Sequence, residues 1–546
     1  MPPMRAPVKG PTGDPFSPGF YENGGGNDIG VPGAAGFGVG VAPTVPSGFV
    51  ILTGTGTPGH DNYGNYQYAD SSIMVWIPAF YYRIGHAGNP TYAAYGVNSV
   101  DVQPESAFAD EAAANAAGYA LHRAFKDGGA TKRGVMVDKY MCSRNTWGTG
   151  YIASSIKNGN PLSAHADHNP LTGLTACSTN NYYQAFNAAH ARDGVNGAVN
   201  ATSLFFPGSR FITGALALLS LAHGQAAAST TNCAWYSATT ANFPKGCNNN
   251  ALSDTNDTAV KWESDGYSNC GKTGSAGYGG GAGNIFAKST HNGQACGIAD
   301  LNGLLWEISP GISSIAATVA IAGMTRANPC VVTWVGHGQA TGAVVMLLAI
   351  TQAGWLGLKD KLFSITRVDD DHFSLDGVDS SGFAADYDPV TDPGTIVRAA
   401  FYTAKESVSM RSFTGGNSAA TDHWGSTGIA AMMDTFAPAF ETTYPNNGSG
   451  QRFGDGAGQV LSDATSGGGW LKSGLGFPVS LSGISAAGTN LFGADYYYQY
   501  LVNDLCLLSG ALWYGLTSAG VWAANWYLAR SNPGSSVGFR LACYPV

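Results

Sequence analysis

The chain has 546 residues and a formal net charge of −9, and only 12% of its residues are charged. A low charge together with 76 glycines and 11% aromatic residues is typical of long ordered loops and β-structure rather than of a freely soluble helical enzyme. No cluster of Lys and Arg is long enough to neutralise a run of phosphates, so we expect no nucleic-acid partner.

Targeting segments and cysteines give further limits. The first 20 residues lack the apolar stretch of a secretory signal, and no run of 18 apolar residues could span a membrane, so we expect synthesis in a cytoplasm without membrane insertion. Nine cysteines stand at irregular spacing without a C-x-x-C pair. This pattern favours buried free thiols, with one or two bridges, such as Cys270 with Cys296, as the alternative.

The N-terminal region is rich in Gly and Pro, above all over residues 18–46, which disfavours helices. Its aromatic residues, such as Phe20 and Phe37, exceed what a disordered tail usually carries. We therefore interpret residues 1–70 as a Gly-rich arm for docking or oligomerisation, with a disordered tail as the alternative. A β-containing segment over 71–132 follows, and its first strand is predicted at 72–78 and continues through 80–83.

Four motifs follow one another from residue 133. They are VMVDKY at 135–140, a helical pattern over 181–192, SRFIT at 209–213 followed by an apolar helix, and GIADLNGLLWE at 297–307. Thr213 is the predicted N-cap of the apolar helix and Gly224 its end. With GFR at 538–540, this order resembles the formylglycine-generating-enzyme branch of the C-type lectin fold. The resemblance implies an α+β fold, with a discontinuous C-type lectin domain over 133–310 and 401–546.

Oxygen-bearing residues precede and follow Trp306 in the last motif, namely Asp300, Asn302 and Glu307. Relatives in this branch bind calcium near the Trp-Glu pair, so the resemblance implies a calcium site with Asn302 and Glu307. The alternative, which we favour, is that these groups bind turn amides and arginines such as Arg540, because a calcium site needs six or more oxygen ligands.

Residues 311–400 interrupt the lectin pattern with short β-like runs, including PCVVT at 329–333 and FSLDGVD at 373–379. These motifs resemble a small β-barrel module that is common in phage tail proteins. We expect an inserted accessory domain whose entry and exit points are adjacent. After it, a tyrosine cluster at 496–498 and 500 is expected either to flank a binding face or to pack behind it.

The C-terminal residues 511–540 contain two sets of positions. The scaffold residues are large apolar or cationic groups suited to a buried core: Trp513, Trp522, Trp526, Arg530, Phe539 and Arg540. The interleaved positions follow neither the helical nor the strand period: Leu512, Tyr514, Leu516, Ser518, Asn525, Tyr527, Leu528, Asn532, Gly534, Ser535 and Ser536. We expect the interleaved positions to form one exposed patch.

The strings AG at 519–520, ARS at 529–531 and VGFRL at 537–541 resemble the variable region of proteins diversified by retroelements, such as the major tropism determinant of a bacteriophage. The resemblance implies a phage tail-tip receptor-binding protein in the virion, a homo-oligomer, expected to be a trimer, that contacts other tail proteins. Its ligand would be a bacterial surface receptor, either a protein or a ring-stacking glycan. A bacterial diversified protein outside any virion is the alternative.

An enzyme of the formylglycine-generating type is the remaining alternative. It would need two active-site cysteines shortly before the ARS string, and no cysteine lies between Cys506 and Cys543. Without a thiolate there is neither a copper ligand nor a nucleophile. We therefore expect a binding protein without enzymatic activity.

Overall fold

The computed structural model describes residues 28–414 apart from 240–241, 256, 278–283, 316–317 and 399, then parts of 429–502, and residues 504–544. The described parts of 429–502 are 429–436, 452–453, 461, 474–478, 484–485, 492, 494–499 and 502. Residues 1–27 of the predicted arm and Tyr500 lie outside the described residues.

The strands of the first half are β1 Phe49–Ile51, β2 Asn65–Tyr68, β3 Ile73–Pro78, β4 Phe80–Ile84, β5 Val100–Pro104, β6 Ala120–Leu121, β7 Lys126–Asp127, β8 Ala130–Thr131, β9 Gly134–Asp138, β10 Cys142–Trp147, β11 Gly150–Ser155 and β12 Phe205–Pro207. Next come β13 Trp306–Ile308, β14 Ile312–Ile315, β15 Thr318–Ala320, β16 Gly323–Met324, β17 Val331–Thr333, β18 Val344–Leu348, β19 Leu362–Arg367, β20 His372–Leu375, β21 Thr395–Arg398 and β22 Ala400–Ala404. The last strands are β23 Met433–Phe436, β24 Arg452–Phe453, β25 Ile484–Ser485, β26 Tyr497–Gln499, β27 Leu505–Ser509, β28 Ala524–Ala529, β29 Val537–Gly538 and β30 Leu541–Cys543.

The α-helices of the described chain are α1 Tyr92–Tyr95, α2 Glu111–Ala116, α3 Gln184–Ala191, α4 Arg210–Ala226 and α5 Ile429–Met432. None of the helices in these ranges is long and apolar enough to cross a membrane. The described chain contains both helices and sheets, and most strand pairs are antiparallel, which is consistent with the predicted α+β class.

Helix α4 is the longest helix and is almost entirely buried. It begins one turn earlier than predicted, because Ser209 rather than Thr213 is the N-cap and accepts a hydrogen bond from the amide of Ile212 at 3.4 Å. The helix also runs past Gly224, which lies inside it rather than at its end. The apolar residues on all sides of α4 explain why it fills the centre of the largest hydrophobic cluster.

A six-stranded sheet joins distant parts of the chain in the order β1-β2-β3-β9-β30-β12. The C-terminal strand β30 lies between β9 and β12, so the chain ends in the middle of the sheet. Strands β1 and β2 pair with each other and β2 pairs with β3, and therefore residue 70 is not a structural boundary. Residues 28–68 were predicted to belong to a separate arm. In the structure they pack into the core through Ile29, Phe37 and Val39.

A seven-stranded sheet forms the inserted region in the order β15-β21-β18-β19-β20-β17-β16, around a hydrophobic cluster of its own. Its two edge strands, β15 and β16, are separated in sequence by Ile321 and Ala322 alone, so the sheet curls until its edges approach each other. On either side of this sheet, β14 and β22 pair antiparallel. The chain therefore enters and leaves the inserted region side by side.

Candidate functional site: a cleft formed by the C-terminal segment

A five-stranded sheet carries the C-terminal segment in the order β26-β28-β27-β13-β29. Strand β28 contains three of the interleaved positions and lies between β26 and β27. Strand β29 pairs in parallel with β13, where Trp306 lies opposite Val537. The sheet thus brings the two halves of the segment, before and after residue 530, to the same region.

The six scaffold residues are all buried, with 7% exposure or less. Trp526 is fully buried, and its ring centroid lies 4.6 Å from that of Phe477. Trp513 donates from its indole Nε1 to Asn250 Oδ1 at 3.0 Å and packs beside His168. These contacts fix the turns between the interleaved positions.

Two buried arginines connect the segment to other parts of the chain. Arg540 donates from Nε and Nη2 to the two carboxylate oxygens of Glu307 at 2.7 and 2.6 Å, and it also donates to the carbonyl oxygen of Ala299 at 3.1 Å. Arg530 donates from Nε to Asp504 at 2.7 Å. The bidentate pairing of Arg540 with Glu307 fixes both the distance and the orientation of the partners.

The interleaved positions are all partly or fully exposed. Tyr514 is 49% exposed, Tyr527 47% and Leu516 44%. The remaining eight are half-buried, and Leu512 and Leu528 among them pack on the edge of a core cluster. The segment is thus divided, residue by residue, between a buried frame and accessible side chains.

A β-bulge in β28 explains why these positions have no regular period. Asn525 pairs with Leu508 and Leu528 pairs with Cys506, so Trp526 and Tyr527 together lie opposite the single residue Leu507. One extra residue shifts the alternation of the strand. Asn525 and Leu528, three residues apart, therefore both reach the cleft described next.

Eight of the interleaved positions line one open cleft of about 580 Å³. They come from both halves of the segment: Leu512, Tyr514, Ser518, Asn525, Leu528, Gly534, Ser535 and Ser536. Tyr527 lies beside it, since its ring is 5.3 Å from that of Tyr498, which in turn is 5.8 Å from the cleft residue Tyr496. Leu516 and Asn532 do not line the cleft.

Residues far away in sequence complete the cleft wall, namely His165, Tyr182, Trp306 and Tyr496. The ring centroids of Trp306 and Tyr496 are 6.3 Å apart. The tyrosine cluster had pointed to Tyr496, but sequence reasoning missed His165 and Tyr182, because no motif marks them and only the fold brings them to residues 511–537.

The cleft is uncharged. Of the described residues that line it, none is Lys, Arg, Asp or Glu, and His165 is the only histidine. Burial, followed by the neighbouring Tyr498, raises the pKa of Tyr496 to about 12, so its hydroxyl stays protonated. The cleft therefore offers aromatic and aliphatic surface together with neutral hydroxyl and amide groups.

The two residues predicted for calcium hydrogen-bond to other parts of the protein, although the buried Oδ1 of Asn302 has no hydrogen-bond partner within the described chain. Both carboxylate oxygens of Glu307 accept hydrogen bonds from Arg540, and the amide nitrogen of Asn302 donates to the carbonyl oxygen of Pro244 at 2.5 Å. Asp300 accepts from Thr273 and from the amide of Gly274, each at 2.7 Å. Within the described ranges, no group of three or more His, Cys, Asp or Glu side chains is arranged to hold a metal ion.

The nine cysteines are all free and buried, so the bridge between Cys270 and Cys296 is not formed. Burial raises the pKa of the Cys506 thiol to about 12. A buried neutral thiol of this kind packs as a small apolar group and does not act as a nucleophile.

In comparisons with known proteins, no family model matches the chain and no curated protein matches it significantly.

Proposed function

We propose that this protein is a receptor-binding protein whose C-terminal cleft binds a ligand on a bacterial surface. The observation that carries the proposal is the division of residues 511–540, in which all eleven interleaved positions are accessible and all six scaffold residues are buried. Such a division allows the binding surface to change while the frame that holds it stays the same.

The composition of the cleft supports binding rather than catalysis. Its volume of about 580 Å³ lies within the usual range of ligand pockets, which runs from roughly 300 to 1,000 Å³. Tyrosines around it provide contact area at a low cost in side-chain entropy, together with a polar hydroxyl. None of the described residues that line it is Lys, Arg, Asp or Glu, and His165 is the only histidine among them, so this lining holds no pair of acid and base side chains.

The fold and setting of the proposed protein rest on the sequence resemblances. The body is a C-type lectin domain of the formylglycine-generating-enzyme branch without enzymatic activity, and the inserted region is an accessory interaction module. The protein is located in a phage tail tip, where it contacts other tail proteins and forms a trimer. Three copies would convert weak single-site binding into avidity of roughly 100- to 10,000-fold.

A cell-binding assay tests the proposal. Purified protein is incubated with intact bacteria of diverse envelope types, and the cell-bound fraction is measured for the wild type and for Tyr514→Ser and Ser535→Asp, which alter the cleft. We expect the wild type to bind a subset of strains and both variants to lose that binding while keeping the melting temperature. Equal binding by wild type and variants would place the binding surface elsewhere.

The setting in a virion is tested independently in the genome that encodes the chain. We expect a reverse-transcriptase gene and a near-identical copy of the coding sequence for residues 511–540 close downstream, among genes for tail proteins. If those genes are present but no tail genes surround them, a bacterial diversified protein outside any virion replaces the phage proposal. Sedimentation tests the trimer, since a species of 56.3 kDa at micromolar concentration would contradict it.

A further inference from the structure

Tyr182 has a feature that the frame of the molecule does not explain. Its side chain is fully buried and lines the cleft, yet its hydroxyl has no hydrogen-bond partner within the described chain. The residue is firmly placed, because its backbone amide donates to the carbonyl oxygen of Arg530 at 3.0 Å. A buried polar group without a partner costs free energy and needs an explanation.

Gly534 lies directly over this hydroxyl. A Cβ atom at position 534 would be 3.1 Å from Tyr182 Oη and 3.0 Å from Val537 Cγ2, closer than atoms ordinarily pack. The backbone of Gly534 is not in the left-handed region, so its conformation alone does not require glycine. The glycine instead keeps a side-chain carbon away from the hydroxyl, and the amide of Gly534 fixes this geometry by donating to the carbonyl oxygen of Ala164 at 2.7 Å.

The surroundings indicate what could reach Tyr182. Neutral polar groups around the cleft come from Ser518, Asn525 and Ser535. Aromatic ring surface comes from Trp306 and Tyr514. With no ion pair available in the cleft, an anionic or cationic ligand would lose its hydration without gaining a counter-ion. A ring that carries several uncharged hydroxyl groups on an apolar face satisfies both kinds of surface at once.

We infer that Tyr182 is a ligand-contacting residue whose hydroxyl hydrogen-bonds an uncharged sugar ring bound in the cleft beside Gly534. The inference rests on the proposed function and adds the class of ligand and a contact residue outside the interleaved positions. Tyr182 therefore belongs to the fixed part of the binding site, while the interleaved side chains around it determine which sugar fits.

The test uses neutral methyl glycosides of glucose, galactose, mannose, rhamnose and N-acetylglucosamine, titrated into the full-length protein by NMR. We expect at least one glycoside to bind, and Tyr182→Phe to weaken that binding roughly tenfold, because the ligand loses its partner. The melting temperature of Tyr182→Phe should stay the same or rise, since the removed hydroxyl is unpaired in the free protein.

Gly534→Ala provides a second, independent variant. It should weaken glycoside binding to a similar degree, because its methyl group would occupy the position beside the hydroxyl that the ligand needs. The double variant should bind no more weakly than the weaker single variant, because both changes remove the same contact. Tyr544→Phe is the matched control. Its hydroxyl donates to the carbonyl oxygen of Ala124 at 2.7 Å, so this variant should lose stability and keep glycoside affinity.

Two results would overturn the inference: no glycoside of the panel binds, or Tyr182→Phe binds as tightly as the wild type. Either result is distinguishable from failure of the proposed function, because adhesion to bacterial cells is measured separately. Cells that are bound through the cleft without competition from any glycoside would point to a protein ligand and would leave the proposed function standing.

Discussion

Residues 537–544 and the interleaved positions of residues 512–536 are neighbours in the chain but lie in different environments. The first stretch is fully buried, its Arg540 is paired with Glu307, and the amide of Leu541 donates to Asp138 at 2.8 Å. Asp138 also pairs with the buried Arg192 at 2.6 Å. In the second stretch, eight of the interleaved positions line the cleft, while the scaffold residues between them, such as Trp522 and Arg530, are buried.

Charged groups are thus buried in the frame, whereas several apolar side chains are accessible at the interleaved positions. Buried charges depend on specific partners, so few substitutions at Arg540 or Asp138 keep the fold. Side chains at the cleft have few fixed partners, and many substitutions there leave the frame intact. The difference explains how a chain can hold its shape and still vary its binding surface.

Removal of a frame charge should have the largest effect. Arg540→Ala leaves Glu307 buried without its partner, so we expect the free energy of unfolding to fall by about 3–5 kcal/mol. Denaturation with urea, followed by tryptophan fluorescence, measures the loss. Arg144→Ala is the control, because Arg144 is exposed and its guanidinium lies 5.3 Å from the ring of Tyr151 without a carboxylate partner in the described chain, and it should change stability by about 0.5 kcal/mol or less. A similar loss of stability in both variants would contradict the expected difference between buried and exposed charges.

The frame also contains buried neutral histidines, of which His291 is the clearest. Its Nδ1 accepts from the amide of Ile298 and its Nε2 donates to the carbonyl oxygen of Gly38, both at 3.1 Å. Protonation of His291 would place a second N–H at Nδ1, where it would face the amide N–H of Ile298, which is also a donor. Burial lowers the pKa of His291 to about 3, whereas an unfolded histidine titrates near 6.5. Below pH 6.5 the unfolded chain therefore binds a proton that the folded chain does not, and stability falls as the pH falls.

The expected size of this effect is about 1.4 kcal/mol between pH 7.5 and pH 5.5. His291→Gln keeps one acceptor and one donor but does not titrate, so the wild type should lose that much more stability than the variant over this interval. Arg144→Ala, on the exposed surface, is the comparison and should lose as much as the wild type. Parallel losses in all three proteins would show that His291 is protonated in the fold.

The frame was largely predictable from sequence, and the cleft only in part. Tryptophans and arginines at positions such as Trp526 and Arg540 are costly to expose or to leave unpaired, so residue type alone predicted their burial. The contribution of Tyr182 and His165 was not predictable, since it depends on a fold that brings residues hundreds of positions apart together. Two further features depend on strand pairing rather than on local sequence pattern. They are the bulge at Trp526 and Tyr527 and the pairing of β2 with β3, which brings the N-terminal region into the sheet.

Leu516 combines features of both stretches, because it is exposed yet strained. Its φ of 54° lies in the left-handed region, which costs a leucine roughly 1–2 kcal/mol. Asparagine tolerates this conformation and loses little burial at a side chain that is 44% exposed. We expect Leu516→Asn to raise the free energy of unfolding by about 0.5–1 kcal/mol, measured by thermal melting. Thr517→Asn, at the neighbouring exposed position, should have no such effect.

The smallest effect on stability is expected at Tyr514, where the contrast between frame and cleft is sharpest. The side chain is half exposed and its described ring contact is with the adjacent Trp513, so Tyr514→Ser should change the free energy of unfolding by about 0.5 kcal/mol or less. Leu528→Asn should cost somewhat more, about 1 kcal/mol, because Leu528 packs against a core cluster. Both variants should lose binding to bacterial cells. If Tyr514→Ser instead destabilised the protein as strongly as Arg540→Ala, the interleaved positions would belong to the frame, and the cleft could not vary independently of the fold.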